Sequence, residues 1–184
     1  MTGMQIDAES AAASLADIDA TLARVKRSAQ YRSTSLIIMV WGSVIALANL
    51  AEQFAPRHGG AIWIIANAVG FAAMLLLGFR QQRTGQRFDW RFSAAILLFF
   101  GFGLLVCRLG QFGPRELDVF WPILFMFGYC LSGLWFGRAF ILLGLAIALL
   151  AYCGYLFLET WFELYLAVVN GGGLILAGVW MRRA

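Results

Sequence analysis

Six apolar runs, at about 35–55, 61–79, 92–112, 119–136, 139–158 and 161–180, fill most of this chain, and the connections between them are too short to hold a soluble domain. Each run is roughly 18–21 residues long. At about 1.5 Å per residue, a helix of that length crosses a hydrocarbon core of about 30 Å. Backbone polar groups in lipid must be satisfied within the chain, and the alternating pattern of a barrel strand is absent, so the runs are predicted to be helices. Composition points the same way. Charged residues make up 13% of the chain and hydrophobic ones 61%, whereas a soluble domain carries about a quarter charged residues. The expected fold is an all-α integral membrane protein with six transmembrane helices arranged as three consecutive helical hairpins. A cytoplasmic N-terminal amphipathic helix over 1–34 precedes the membrane domain over 35–184.

The hairpin reading rests on an internal repeat. Residues 53–57 read Gln-Phe-Ala-Pro-Arg and residues 111–115 read Gln-Phe-Gly-Pro-Arg. At the same offset of 58, Trp63 pairs with Trp121, Gly70 with Gly128 and Arg80 with Arg138. Residues 35–80 laid on 93–138 without gaps give twelve identities in 46 positions. Such a period marks a repeated supersecondary unit, here two helices joined at a proline corner. A third unit, related to the second by an offset of 44, retains Gly128 against Gly172 and Arg138 against Arg182. All three units share one orientation, unlike the inverted repeats of many transporters.

Charge sets the expected topology. Arg24, Lys26, Arg27, Arg32, Arg80, Arg83, Arg87, Arg91, Arg138, Arg182 and Arg183 all fall on one side, eleven of the fourteen basic residues. Arg57, Arg108 and Arg115 fall on the other, beside Glu52, Glu116, Asp118, Glu159 and Glu163. The positive-inside rule then puts both termini in the cytoplasm, which agrees with an even number of spans in a plasma (inner) membrane. The first thirty residues lack the short apolar core of a cleavable signal, so 35–55 is expected to insert as an uncleaved span. Pro56 and Pro114 end helices at the outer corners. At the third corner Thr160 and Glu163 form a T-x-x-E pattern that suits a capping box. Gly137-Arg138 leaves almost no loop, so spans four and five should be antiparallel neighbours.

Ahead of the first span, Ala11, Leu15, Ile18, Leu22, Val25 and Ala29 step by 4-3-4-3-4, a heptad seam. Acidic residues (Asp7, Glu9, Asp17, Asp19) come first and basic ones last, as the helix dipole favours. Ser33-Thr34-Ser35 could cap the following span, which would end this helix just before the membrane. Leu15, Ile18, Leu22 and Val25 are the candidate seam for a partner protein or for self-association. The alternative is a helix lying on the membrane surface or on the protein's own cytoplasmic face.

Few polar groups lie within the runs, and polar groups at depth normally face the bundle interior or water. Asn49, Glu52, Asn67, Arg108, Gln111 and Asn170 form the candidate ligand or structural set. Glu52 and Arg108 have opposite signs at matched depth and are expected to pair between spans one and three. Gly171, Gly172 and Gly173 follow Asn170 and permit either close helix packing or a local break that bares carbonyls.

The remaining chemistry is sparse. Cys107, Cys130 and Cys153 all sit inside apolar runs and form no CxxC spacing. With His58 as the one histidine, HExxH and paired haem ligation are excluded, and neither a P-loop nor a G-x-S-x-G is present. No cofactor, metal site or nucleic-acid partner is expected. The composition and motifs favour a non-enzymatic, accessory or regulatory membrane component that docks a partner through its N-terminal helix, possible as a homo-oligomer. The alternative is a small-solute or ion transporter or channel that uses the intramembrane polar residues.

Overall fold

A computed structural model describes residues 8–82 and 90–183, and all the regular structure among them is helical. Helix α1 spans Ala8–Phe54 and is followed by a 3₁₀ turn at Pro56–His58. Then come α2 (Gly59–Gln82), α3 (Trp90–Gly110), α4 (Pro114–Phe136), α5 (Arg138–Phe157) and a short α6 (Phe162–Leu166). A π-helical segment, Ala167–Gly172, joins α6 to α7 (Gly173–Arg183).

Five helical segments are long and apolar enough to cross a membrane: Ser35–Phe54, Pro56–Leu77, Pro114–Trp135, Arg138–Phe157 and Phe162–Arg183. The expected third span, 92–112, falls on α3, Trp90–Gly110, of which Ala94–Gly110 is the apolar stretch among the residues whose side chains are described. Its end comes early because Gln111 turns into the left-handed region (φ 50°) and Phe112 N–H returns to the Cys107 carbonyl, which closes the helix.

The N-terminal part departs from expectation. α1 runs without interruption through Ser33, Thr34 and Ser35, so no cap separates a cytoplasmic helix from the first span. The physical reason is in the residues: from Ala8 to Trp41 the chain holds no glycine and no proline. Hydroxyl side chains alone do not stop a helix whose next residues are apolar and helix-competent.

Two helix pairs form the core. α1 lies antiparallel to α6 and α7, with Gly178 against Ser35 and Met39, Gly171 against Ala46, and Gln53 against the start of α6. A Cβ on Gly171 would come within 2.6–2.8 Å of the Ala46 backbone and Cβ, so this position admits only glycine. The glycine run is therefore a close-packing face carried on a π segment, and the helix does not break there. Gly173 packs more loosely on Ile147, and Gly172 faces open space.

α4 and α5 pack along most of their lengths as antiparallel neighbours, as their missing loop requires. Gly137, at φ 124°, makes the reversal. Gly133 meets Ile141 and Gly144 meets the Met126 carbonyl and Cys130. Between the two pairs lie Ile38, Met126, Ile147 and Leu174 toward one end, and Val119, Ala151, Phe162 and Leu166 toward the other.

Aromatic rings attach α2 and α3 to this core. Trp41, Phe71, Phe100, Trp121 and Phe125 form a continuous ladder with ring centroids 5.3–6.1 Å apart. Trp41 lies against Gly70 and Phe99 against Gly128, so one aromatic-on-glycine contact recurs 58 residues later at both partners.

Candidate functional site

The inward face of α1 carries Ile38, Ile45, Asn49 and Glu52, one or two turns apart, and ends in a carboxylate that is 9% exposed. Glu52 stays buried because its neighbours make room and supply a donor. Gly59, just past the corner, has no side chain to collide with Glu52 Oε1. Trp63 on α2 donates its indole N–H to Glu52 Oε2 at 2.6 Å.

Two further acids arrive from other elements. Asp118 stands in the second turn of α4 and Glu163 in the first turn of α6, where the helix dipole favours negative charge. One carboxylate oxygen from each of Glu52, Asp118 and Glu163 lies within 4.8 Å of the other two. The Glu163 Oε2 atom is buried without a partner.

Arg115, on the same helix as Asp118, does not neutralise this group. Arg115 turns toward the C-terminus of α5, donating from Nη2 to the Tyr155 and Leu158 carbonyls at 2.8 Å each. Its guanidinium also stacks at 5.2 Å from the Tyr155 ring centroid and 5.8 Å from that of Phe162. A cation at a helix C-terminus satisfies carbonyls that have no helical donor. Among the described residues, no basic side chain makes an ion pair with the three acids.

Below the acids, two amides continue the polar track into the bundle. Asn49, 1% exposed, donates from Nδ2 to the Ile45 carbonyl of its own helix, and its Oδ1 is buried without a partner. Asn170, 3% exposed in the π segment, likewise has an unpartnered Oδ1. π-helical turns occur frequently at functional sites. By the antiparallel register of α1 with α6 and α7, Asn49 and Asn170 sit at successive levels below Glu52 and Glu163.

Of the residues singled out from sequence, Asn49, Glu52 and Asn170 thus belong to one polar track. Asn67 is half-buried and spends its amide on the Trp63 carbonyl of its own helix. Arg108 and Gln111 are exposed and lie outside it, so the expected Glu52–Arg108 pair is not made. On α3 it is Cys107 that turns inward, and the next residue, about 100° further round the helix, points outward. The capping box is also absent. Trp161 is the N-cap of α6 and no side chain caps it, because Glu163 is engaged with the acids.

Sequence reasoning missed Asp118, Glu163 and Trp63 as site members, and with them a possible metal-ligand set. The available signal is the concentration of acids in the connections at one end, which spacing along the chain does not resolve into one group. On α1, Leu15 and Ile18 are exposed, as is every described side chain from Ser14 to Thr21. The side chains of Leu22 and Val25 lie outside the described residues, as do Arg83 and Arg87. An apolar cleft of about 520 Å³ between α5 and α7, lined by Leu143, Leu176, Trp180 and Met181, offers only hydrophobic contact.

Fold and site together define an all-helical chain with five membrane-length apolar helices and a three-carboxylate group, buried at Glu52 and half-buried at Asp118 and Glu163, at the end that carries Pro56 and Pro114. No family model, curated protein or solved structure matches it.

Proposed function

We propose that this chain is a non-enzymatic, multi-pass component of the plasma (inner) membrane that docks a protein partner through the N-terminal part of α1. In this reading six spans form three hairpins in one orientation, Ala94–Gly110 serves as the third, and both termini are cytoplasmic. The basic residues gathered on one side support that topology. So do the common end occupied by Ser35 and Gly178, and the aromatic-on-glycine contact repeated at an offset of 58.

One observation carries the docking role. Leu15 and Ile18, a helical turn apart, are 63% and 54% exposed on a helix that nothing else in the described chain covers there. Apolar side chains at that spacing on a polar helix suit recognition by a groove or a second helix. Affinity purification from native membranes in mild detergent tests this. The full chain should bring down a stoichiometric partner that is lost when residues 1–30 are deleted. Retention of every partner by the truncated chain, or recovery of a homo-oligomer alone, would overturn the reading.

The second reading, a small-solute or ion transporter or channel, draws on the carboxylates and the amides beneath them. Proteoliposome flux that is abolished by Asn170→Leu would favour it over docking.

A further inference from the structure

We propose that Glu52, Asp118 and Glu163 hold one hard divalent cation of the calcium class, clamping the ends of α1, α4 and α6 together. The site stands independently of the docking role.

Geometry is the first support. Calcium takes oxygen ligands at about 2.3–2.6 Å, so ligands on opposite sides of the ion are about 4.6–5.2 Å apart. The three carboxylate oxygens lie within 4.8 Å of one another, already inside that sphere.

Charge balance is the second. Three carboxylates meet one N–H donor, from Trp63, and Arg115 is committed to the end of α5. Like charges at this spacing do not persist together without a proton or a cation between them. A proton shared by Asp118 and Glu163 would leave Glu163 Oε2 without a partner.

The third support is independent of the acids. Among the described residues, three of the four buried side-chain atoms without a partner are acceptors, Glu163 Oε2, Asn49 Oδ1 and Asn170 Oδ1; the fourth is the Arg115 Nε donor. Asn49 is 1% exposed and stands one turn from Glu52 on the same buried face. Pro122, inside α4, has no N–H to give the carbonyl four residues earlier, which belongs to Asp118. Pro122 therefore leaves the Asp118 main-chain oxygen without its usual helical donor. Buried acceptors without donors are costly, and a set made only of oxygens is what a hard cation requires.

The test is equilibrium dialysis of radioactive calcium against the full-length protein in nanodiscs after stripping with chelator. One saturable calcium per chain is expected, with magnesium a weaker competitor. Asp118→Asn and Glu163→Gln should each weaken binding at least tenfold, whereas Glu116→Gln and Glu159→Gln, at exposed acids of the same end, should leave it unchanged. Thermal midpoints separate loss of the site from loss of the fold. In chelator, the Asp118→Asn and Glu163→Gln proteins should melt no lower than the unsubstituted chain, because a repulsion has been removed. They should also lack the upward shift that calcium gives the unsubstituted chain. The proposal is overturned by absent saturable binding or by equal effects of all four substitutions. A midpoint of the unsubstituted chain that responds to pH but not to calcium would also overturn it, leaving a shared proton as the occupant.

Discussion

At the first Gln-Phe-Ala-Pro-Arg corner, Gln53 reaches across the bundle. It donates to the Thr160 carbonyl at 3.1 Å and accepts from the Leu164 N–H at 3.3 Å, while Arg57 lies exposed. At the second corner the roles are exchanged. Gln111 is exposed in a left-handed turn, and Arg115 is the residue that reaches across, to the end of α5. The same five-residue pattern thus makes the same bend but fastens its helices to different neighbours. What decides the wiring is the position that each corner's neighbours leave open. Glu52 and Gly59 have Gly110 and Leu117 at the corresponding places 58 residues on, so the second corner lacks both the carboxylate and the space for it.

This contrast can be broken in three ways. The largest effect is expected at the arginines. Arg115→Ala removes two charge-assisted bonds to half-buried carbonyls and should lower stability by about 2–3 kcal/mol. Arg57→Ala should stay within about 0.5 kcal/mol. Thermal unfolding in one detergent, with the two variants side by side, reads the difference.

The paired glycines come next. A Cβ on Gly70 would press on the Trp41 ring at 2.8 Å, whereas one on Gly128 would meet Phe99 at an ordinary 3.4 Å. Gly70→Ala should therefore cost about 1–3 kcal/mol through overpacking, and Gly128→Ala should be neutral or gain up to about 1 kcal/mol from helix propensity. Equal losses in the same melting assay would show that the two contacts are equivalent after all.

The smallest effect separates the glutamines. Gln53→Ala should cost about 1 kcal/mol by freeing the start of α6. Gln111→Gly should stabilise by about 0.5–1 kcal/mol, since glycine accepts a positive φ without strain. Opposite signs for two residues that occupy the same place in a repeat would be direct evidence of their different wiring.

Most of the fold was legible because it follows from local rules. Apolar length marked the helices, proline and glycine marked the corners, and Gly137-Arg138 marked the tight α4–α5 reversal. The carboxylate group was not legible for a physical reason. Glu52, Asp118 and Glu163 come from three elements far apart in the chain, and sequence spacing reports only which residues share a face of one helix. Depth is readable from sequence, but rotation about the helix axis is not: Arg108 has the depth expected of a partner for Glu52, yet Cys107 holds the inward position. Thr160 and Glu163 had the spacing of a cap, yet the tertiary charge cluster claimed the glutamate. The length of α1 was not legible because hydroxyl residues cap some helices and ride inside others, whereas glycine and proline stop them.

α1 is one rod of 47 residues, about 70 Å from end to end. Leu15 stands about 30 Å from Ser35 along it, and Glu52 stands near the opposite tip. A rod with no glycine or proline before Gly42 has nowhere to absorb a sideways load at the level of Ser33–Ser35. A load applied at Leu15 and Ile18 would therefore work a lever whose far end carries a carboxylate.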